Sequence, residues 1–325
     1  MKPDINIPKT AILLANLGTP DNYDFITIRK YLSEFLKDRR IIEVNKLVWY
    51  PLLYGIILNT RPFKTQKGYS RIWNYNGCIG SPLLHYTQSI AHKLDKKLNH
   101  AKVYFGMRYG SPNINDVVKK IIENGHEKII VLTLFPQYSA TTVGSIYDKF
   151  FSSMVNIRNL PSVEVIKSYN THPKYIKALA NSINSHLQKL SFEPELLLAS
   201  FHGIPESYCE KGDPYPKECE QTIEALKPLI GKYAERIKIC YQSRFGKAEW
   251  IKPYTAELVK QLPKENITKI AIFSPGFFTD CLETIDEIGR ELQEDFIQAG
   301  GKKFTRISCI NDNNDGIDLL KEICS

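Results

Sequence analysis

Three glutamates four residues apart, Glu283, Glu287 and Glu291, follow Asp280 near the end of the 325-residue chain. On a helix that spacing stacks the carboxylates on one side, where like charges repel by roughly 0.2–0.5 kcal/mol per pair. A row of carboxylates suits a hard cation or a proton relay. It is also what the solvated face of an ordinary surface helix looks like, with Glu283 completing a capping box begun by Asp280. Position separates the two readings. The row follows an apolar, β-branched run at residues 267–273 and the breaker Ser274-Pro275-Gly276, and in open α/β sheets ligands bind beyond the carboxyl ends of the strands. Cys281, Leu282, Ile285, Ile288 and Leu292 supply the apolar stripe that would seat this helix.

His202 is the second candidate. Of seven histidines, only His172 and His202 follow strand-like runs, and Phe201-His202-Gly203-Ile204-Pro205 opens a long loop to Pro216. Titration near neutral pH makes such a histidine the default proton acceptor. Trp250 and Tyr138 read as packing residues or as walls for a flat ligand.

The elements that must carry these groups alternate. Strand-like runs fall at residues 11–16, 102–107, 128–135 and 163–167, then at 195–201, 237–242, 267–273 and 304–309, separated by helical stretches such as 217–232 and 247–262. Four and four predict an α/β protein of two similar Rossmann-like lobes, each a four-stranded parallel sheet flanked by helices, with the active-site cleft between them. The expected lobes are residues 1–168 and 169–309, hinged near 167–190, with a last helix in 310–325 returning to the first lobe. Neither half carries GxGxxG or GxxxxGK[ST], which argues against a nucleotide cofactor.

At 43% hydrophobic and 24% charged, the composition is that of a globular protein long enough for two cores. The net charge of +8 is spread as scattered lysines, which excludes a nucleic-acid partner and suits an anionic membrane surface or acidic ligand. Seven scattered cysteines without CxxC, and no apolar signal core in residues 1–10, predict reduced thiols and a cytoplasmic protein. The most apolar run, residues 47–58, is interrupted by Pro51 and Gly55 and is too short to span a bilayer. It is either a core helix or an apolar lip made by Trp49, Leu52, Leu53 and Ile56, with Arg61 just beyond.

Several blocks in order, LLANLGTP, GYSRIW with GSPLL, YFGMRYGSP, LTLFPQYSATTVGS, SFHGIPESYCEKGDPYP, CYQSRFGKAEW and SPGFFTDCLETIDEIG, make nearly the whole chain similar to the ferrochelatase family. The resemblance implies insertion of Fe²⁺ into protoporphyrin IX, with release of two protons, as the terminal step of haem synthesis. It implies His202 and Glu283 as catalytic and metal-contacting residues, Glu287, Glu291 and Asp280 as a proton or metal relay, and Leu17, Arg61, Tyr69, Ser81, Arg108, Tyr138 and Trp250 as porphyrin-binding residues. Porphyrin and ferrous iron are then substrates, no cofactor is required, and a monomer, peripheral on the cytoplasmic face of the membrane, is expected. Two positions depart from the family pattern: Cys281 stands where some relatives have a second histidine, and Leu17 where others have tyrosine or methionine. Beyond Cys281 only Cys309 and Cys324 remain, too few for the C-terminal [2Fe-2S] cluster of some relatives. The alternatives are a chelatase for another metal or tetrapyrrole, such as cobalt or nickel or coproporphyrin III, and a tetrapyrrole-binding protein without turnover.

Overall fold

The computed structural model describes residues 8–246 and 248–325; the expected readings on residues 1–7 and on Lys247 lie outside them. The chain divides into two compact units, residues 1–134, 139–167 and 320–325 forming one, and 135–138 with 168–319 the other. The last helix, Asn314–Ile323, is divided by that boundary, residues through 319 going with the second unit. In the stretch around 167–190, the helix Pro173–Gln188 belongs wholly to the second unit.

The first unit is built on β1 (Thr10–Thr19), β2 (Ala101–Gly110), β3 (Lys128–Thr133) and β4 (Ser162–Ile166), all parallel in the order β2-β1-β3-β4. Ala11 to Ala15 and Ile129 to Leu132 are buried in succession, the continuous apolar pattern of strands covered on both faces. At their carboxyl ends β1 and β2 touch backbone to backbone. A Cβ on Gly18 (φ +111°) would lie 1.8 Å from the Tyr109 carbonyl oxygen, and one on Gly110 (φ +81°) 2.3 Å from that of Thr19. Glycine alone satisfies both the space and the left-handed backbone.

The apolar run at 47–58 divides between core and exposed surface. Its helix Lys46–Leu52 passes through a π-helical turn, Leu53–Ile57, into the helix Leu58–Ile72. Leu53 and Leu58 are fully buried, and the Trp49 indole is tied down by its Nε1–H donating to the Leu36 carbonyl at 2.7 Å. Of the expected lip residues Leu52 and Ile56 (58% exposed) face solvent, together with Leu47 (86%) and Val48. One helical face buries while the other does not, a distinction that an unbroken apolar run conceals.

The second unit repeats the pattern with β5 (Leu196–His202), β6 (Ile237–Gln242), β7 (Lys269–Phe273) and β8 (Lys303–Arg306), parallel in the order β6-β5-β7-β8. Leu198, Cys240, Leu258, Ile270, Ile288 and Phe296 are among the residues of its core. Two expected helices are shorter: Tyr215–Leu226 gives way to 3₁₀ turns, and only Thr255–Gln261 forms within 247–262. Pro253 accounts for the second, since it donates no N–H and disfavours helical backbone in the residue before it.

The acidic segment departs from expectation in kind. Glu283–Leu292 is a π-helix, followed by the α-helix Gln293–Gln298. Its i→i+5 bonding is uncommon and concentrates at functional sites. The expected apolar stripe is buried at Cys281, Ile285, Ile288 and Leu292, while Leu282 is half-buried. The capping box does not form: Leu282 occupies the N-cap without a side-chain bond, and Thr284 Oγ1 donates to Asp280 Oδ1 at 2.9 Å.

Candidate active site

The second sheet changes direction of winding at β5, with β6 on one side and β7 on the other, so the carboxyl end of β5 is its topological switch point. His202 is the last residue of β5, half-buried and paired in register with Gln242. Its Nδ1 lies 2.7 Å from the Gly203 carbonyl. A carbonyl only accepts, so this contact assigns the proton to Nδ1 and leaves the lone pair on Nε2, the tautomer that can take up a proton. The ring lies 6.3 Å from Trp250 and 6.5 Å from Phe277, centroid to centroid. Gly203 permits this closeness, for a Cβ there would meet the Trp250 indole at 3.0 Å and the Gln242 carbonyl at 3.1 Å. Trp250, expected on a helix, is instead buried in an extended bridge to Pro205.

The π-helix follows β7, yet it is bonded to the end of β6. Ser243 donates its N–H to Glu287 Oε1 at 2.9 Å and its hydroxyl to Oε2 at 2.5 Å. This contact joins the helix after β7 to the end of β6, the two strands that flank β5 and its terminal His202. Burial, helped by the nearby charges of Glu283 and Glu291 and opposed by the two Ser243 bonds, raises the Glu287 carboxyl to about 7. A carboxyl there exchanges its proton at neutral pH. Glu291 is ion-paired to Arg290 Nη2 at 2.8 Å, and Arg290 also holds Asp286 and Glu294, so the row ends in a cationic clasp.

Glu287 lends itself to a stability test. Its folded-state value lies above the ordinary glutamate value of 4.5, so the folded protein binds more protons than the unfolded chain between pH 4.5 and 7. Stability is therefore lost as pH rises through that window. Glu287→Gln, which resembles the protonated form, should melt higher than the parent at pH 8, by on the order of 2 kcal/mol, and no higher at pH 4.5. Equal differences at both pH values would show an ordinary solvated carboxylate.

Asp280 is not part of the row. It is buried, accepting from Arg306 Nη1 at 2.6 Å, Asn311 Nδ2 at 2.8 Å and Thr284. A carboxylate so fully bonded anchors the start of the π-helix, and its removal would strand a buried guanidinium. The Cys281 thiol beside it is pushed well above its usual range by burial and then by the Glu283 carboxylate, so it is a neutral thiol. Glu283 itself is half-buried. Among the described residues no three His, Cys, Asp or Glu side chains are placed to hold a metal ion together.

The other sequence-predicted residues divide. Tyr138 belongs to the second unit, its N–H donating to Glu218 Oε2 at 2.7 Å. In the first unit, Leu17 is half-buried beside Gly18, and Ser81 is buried, accepting from Thr19 Oγ1 at 2.9 Å. Tyr69 is buried edge-on to Trp73, and Arg61 is half-buried on the same helix. Arg108 pairs with Asp38, and its Nε donates to Ser145 Oγ at 2.6 Å, with Tyr109 also donating to Asp38 at 2.7 Å. A guanidinium paired with a buried carboxylate braces this part of the first unit. Ser243, within the block CYQSRFGKAEW, and Phe277, within SPGFFTDCLETIDEIG, join the site although neither carries a role in the sequence.

A family description, Ferrochelatase, matches residues 9–325. The chain belongs to the ferrochelatase family. Members are lyases that insert iron into a porphyrin in haem synthesis. Ferrochelatases of Brucella ovis and Brucella suis are 45% identical over 320 residues, covering 98% of this chain and 91% of theirs. SirB from Bacillus subtilis with Fe³⁺ is similar in fold, with a TM-score of 0.57 at 13% identity over 96% of this chain and 93% of its own. CbiX, described as the terminal enzyme for siroheme biosynthesis in denitrifying bacteria, gives 0.50 at 11% identity over 96% of each chain. At such identities the likeness is one of fold alone.

Proposed function

We propose that this enzyme inserts Fe²⁺ into protoporphyrin IX, with His202 receiving the pyrrole protons and Glu283 and Glu287 passing protons or iron along the π-helix. The observation that supports this reading most is Glu287, a carboxyl poised near neutrality and fixed by Ser243 at the end of β6, the strand paired with the one that carries His202. A free-base porphyrin must lose two N–H protons as it takes the metal, which calls for a base with a vacant lone pair and a group that can hand protons on. His202 Nε2 meets the first need and Glu287 the second. Iron enters as a substrate, and the reading calls for no resident cofactor or iron–sulfur cluster. Anaerobic incubation with Fe²⁺ and protoporphyrin IX should collapse the free-base absorption to that of a metalloporphyrin. Faster turnover with coproporphyrin III, or with Co²⁺, would reassign the substrate.

Peripheral contact with a membrane belongs to the same reading. No helix among the described residues is long and apolar enough to cross a bilayer. Leu47, Val48, Leu52 and Ile56 nevertheless expose one apolar face beside Lys46, an arrangement suited to an anionic lipid surface. Replacing Leu47, Leu52 and Ile56 together by serine should weaken porphyrin uptake from anionic liposomes while leaving the melting temperature nearly unchanged, since solvent-facing side chains contribute little to stability. Unchanged uptake would remove the membrane from the account.

A further inference from the structure

Among the described residues five non-glycine positions have positive φ: Asn74, Asn76, Asn266, Asn311 and Ser243. Asparagine tolerates the left-handed region, and serine has no such excuse. At φ +67° Ser243 turns both its N–H and its hydroxyl onto one carboxylate, Glu287, at 2.9 and 2.5 Å. The strain is thus held at a residue whose two donors converge on the acidic row, a pattern that points to function more than to turn formation. We propose that Ser243 is a positioning residue for metal insertion, acting through its hydroxyl to hold the Glu287 carboxylate in one orientation at the end of β6.

The geometry supports a two-point grip. A carboxylate bound at both oxygens cannot rotate about its last torsion, so its remaining lone pairs keep one direction. The grip also ties two elements that the sheet order would otherwise leave apart, the residue after β6 and the helix after β7. Gln242, immediately before Ser243, stiffens this end of β6: it is buried, it pairs in register with His202, and its Oε1 accepts from Ser200 Oγ at 2.7 Å. Ser243 therefore sits on a firm base, with both of its donors on the Glu287 carboxylate.

This inference rests on Glu287 serving the reaction, so the experiment separates the two. Ser243→Ala removes the hydroxyl and keeps an unfavourable backbone, whereas Ser243→Gly removes the hydroxyl, suits the positive φ and keeps the N–H bond. Each is made alone and together with Glu287→Gln, and kcat and the KM for porphyrin are measured by metallation with Fe²⁺. Both single variants are expected to lose about tenfold in kcat, the usual scale for a hydrogen bond to a charged group, with porphyrin KM unchanged. In the Glu287→Gln background neither should lose more, because the partner of the hydroxyl is already altered. Full activity in Ser243→Gly, or an equal loss in both backgrounds, would overturn the proposal and leave Ser243 a turn residue. If Glu287→Gln itself keeps parental turnover, it is the role of Glu287 that fails.

Discussion

Glu283→Gln is expected to lose at least about 10²-fold in the rate of iron insertion while the protein folds as before. The substitution preserves size and removes only the charge. The architecture does not need that charge: the N-cap of the π-helix makes no side-chain bond, and the segment is pinned by Thr284, Asp280, Arg306 and Asn311. Melting should therefore shift by no more than about 0.5 kcal/mol, as for other substitutions outside packed or bonded sites. Near-parental turnover would reduce Glu283 to one more acidic residue on a helix. A large fall in melting temperature with turnover retained would make it structural.

His202→Ala should lower kcat by about 10²–10⁴-fold, the span typical of a proton acceptor, with a modest rise in the KM for porphyrin. The modest rise has its own source, because the ring packs beside Trp250 and Phe277 and alanine leaves that wall thinner. The two variants thus fail differently. Loss of Glu283 is expected in kcat alone, and loss of His202 mostly in kcat with some loosening of the site. A large rise in KM at constant kcat would turn His202 into a binding residue.

Most strands were legible as short apolar runs bounded by turn residues, a pattern that survives without tertiary information, and the edge strands β4 and β8 by their β-branched or aromatic residues. His202 and the glutamate row were legible for a related reason: both follow such runs, and position after a strand is written in the chain. What escaped was whatever depends on neighbours distant in sequence. Arg108 pairs with Asp38, seventy residues earlier, a partner that no motif announces. Ser243 acquires its role from the order β6-β5-β7, which no periodicity encodes. The π-helix kept the apolar spacing of an α-helix closely enough that only its hydrogen bonds tell them apart. Leu52 and Leu53 are adjacent and equally apolar, yet one faces solvent and the other is core.

The glycine seam between β1 and β2 has a bearing on redesign. Gly18 and Gly110 each leave the space in which the opposite strand places a carbonyl, so a larger residue at one cannot be rescued by a change at the other. Asn16 is equally fixed, since its amide bonds Thr87 at 2.9 Å and the Leu17 N–H at 2.8 Å. Between these stands Leu17, half-buried and bonded only through its main chain. A variant library that randomised this end of the first sheet would return survivors with many side chains at position 17 and almost none at its neighbours. Redesign of this end of the first unit is thus a one-letter problem at the tip of β1.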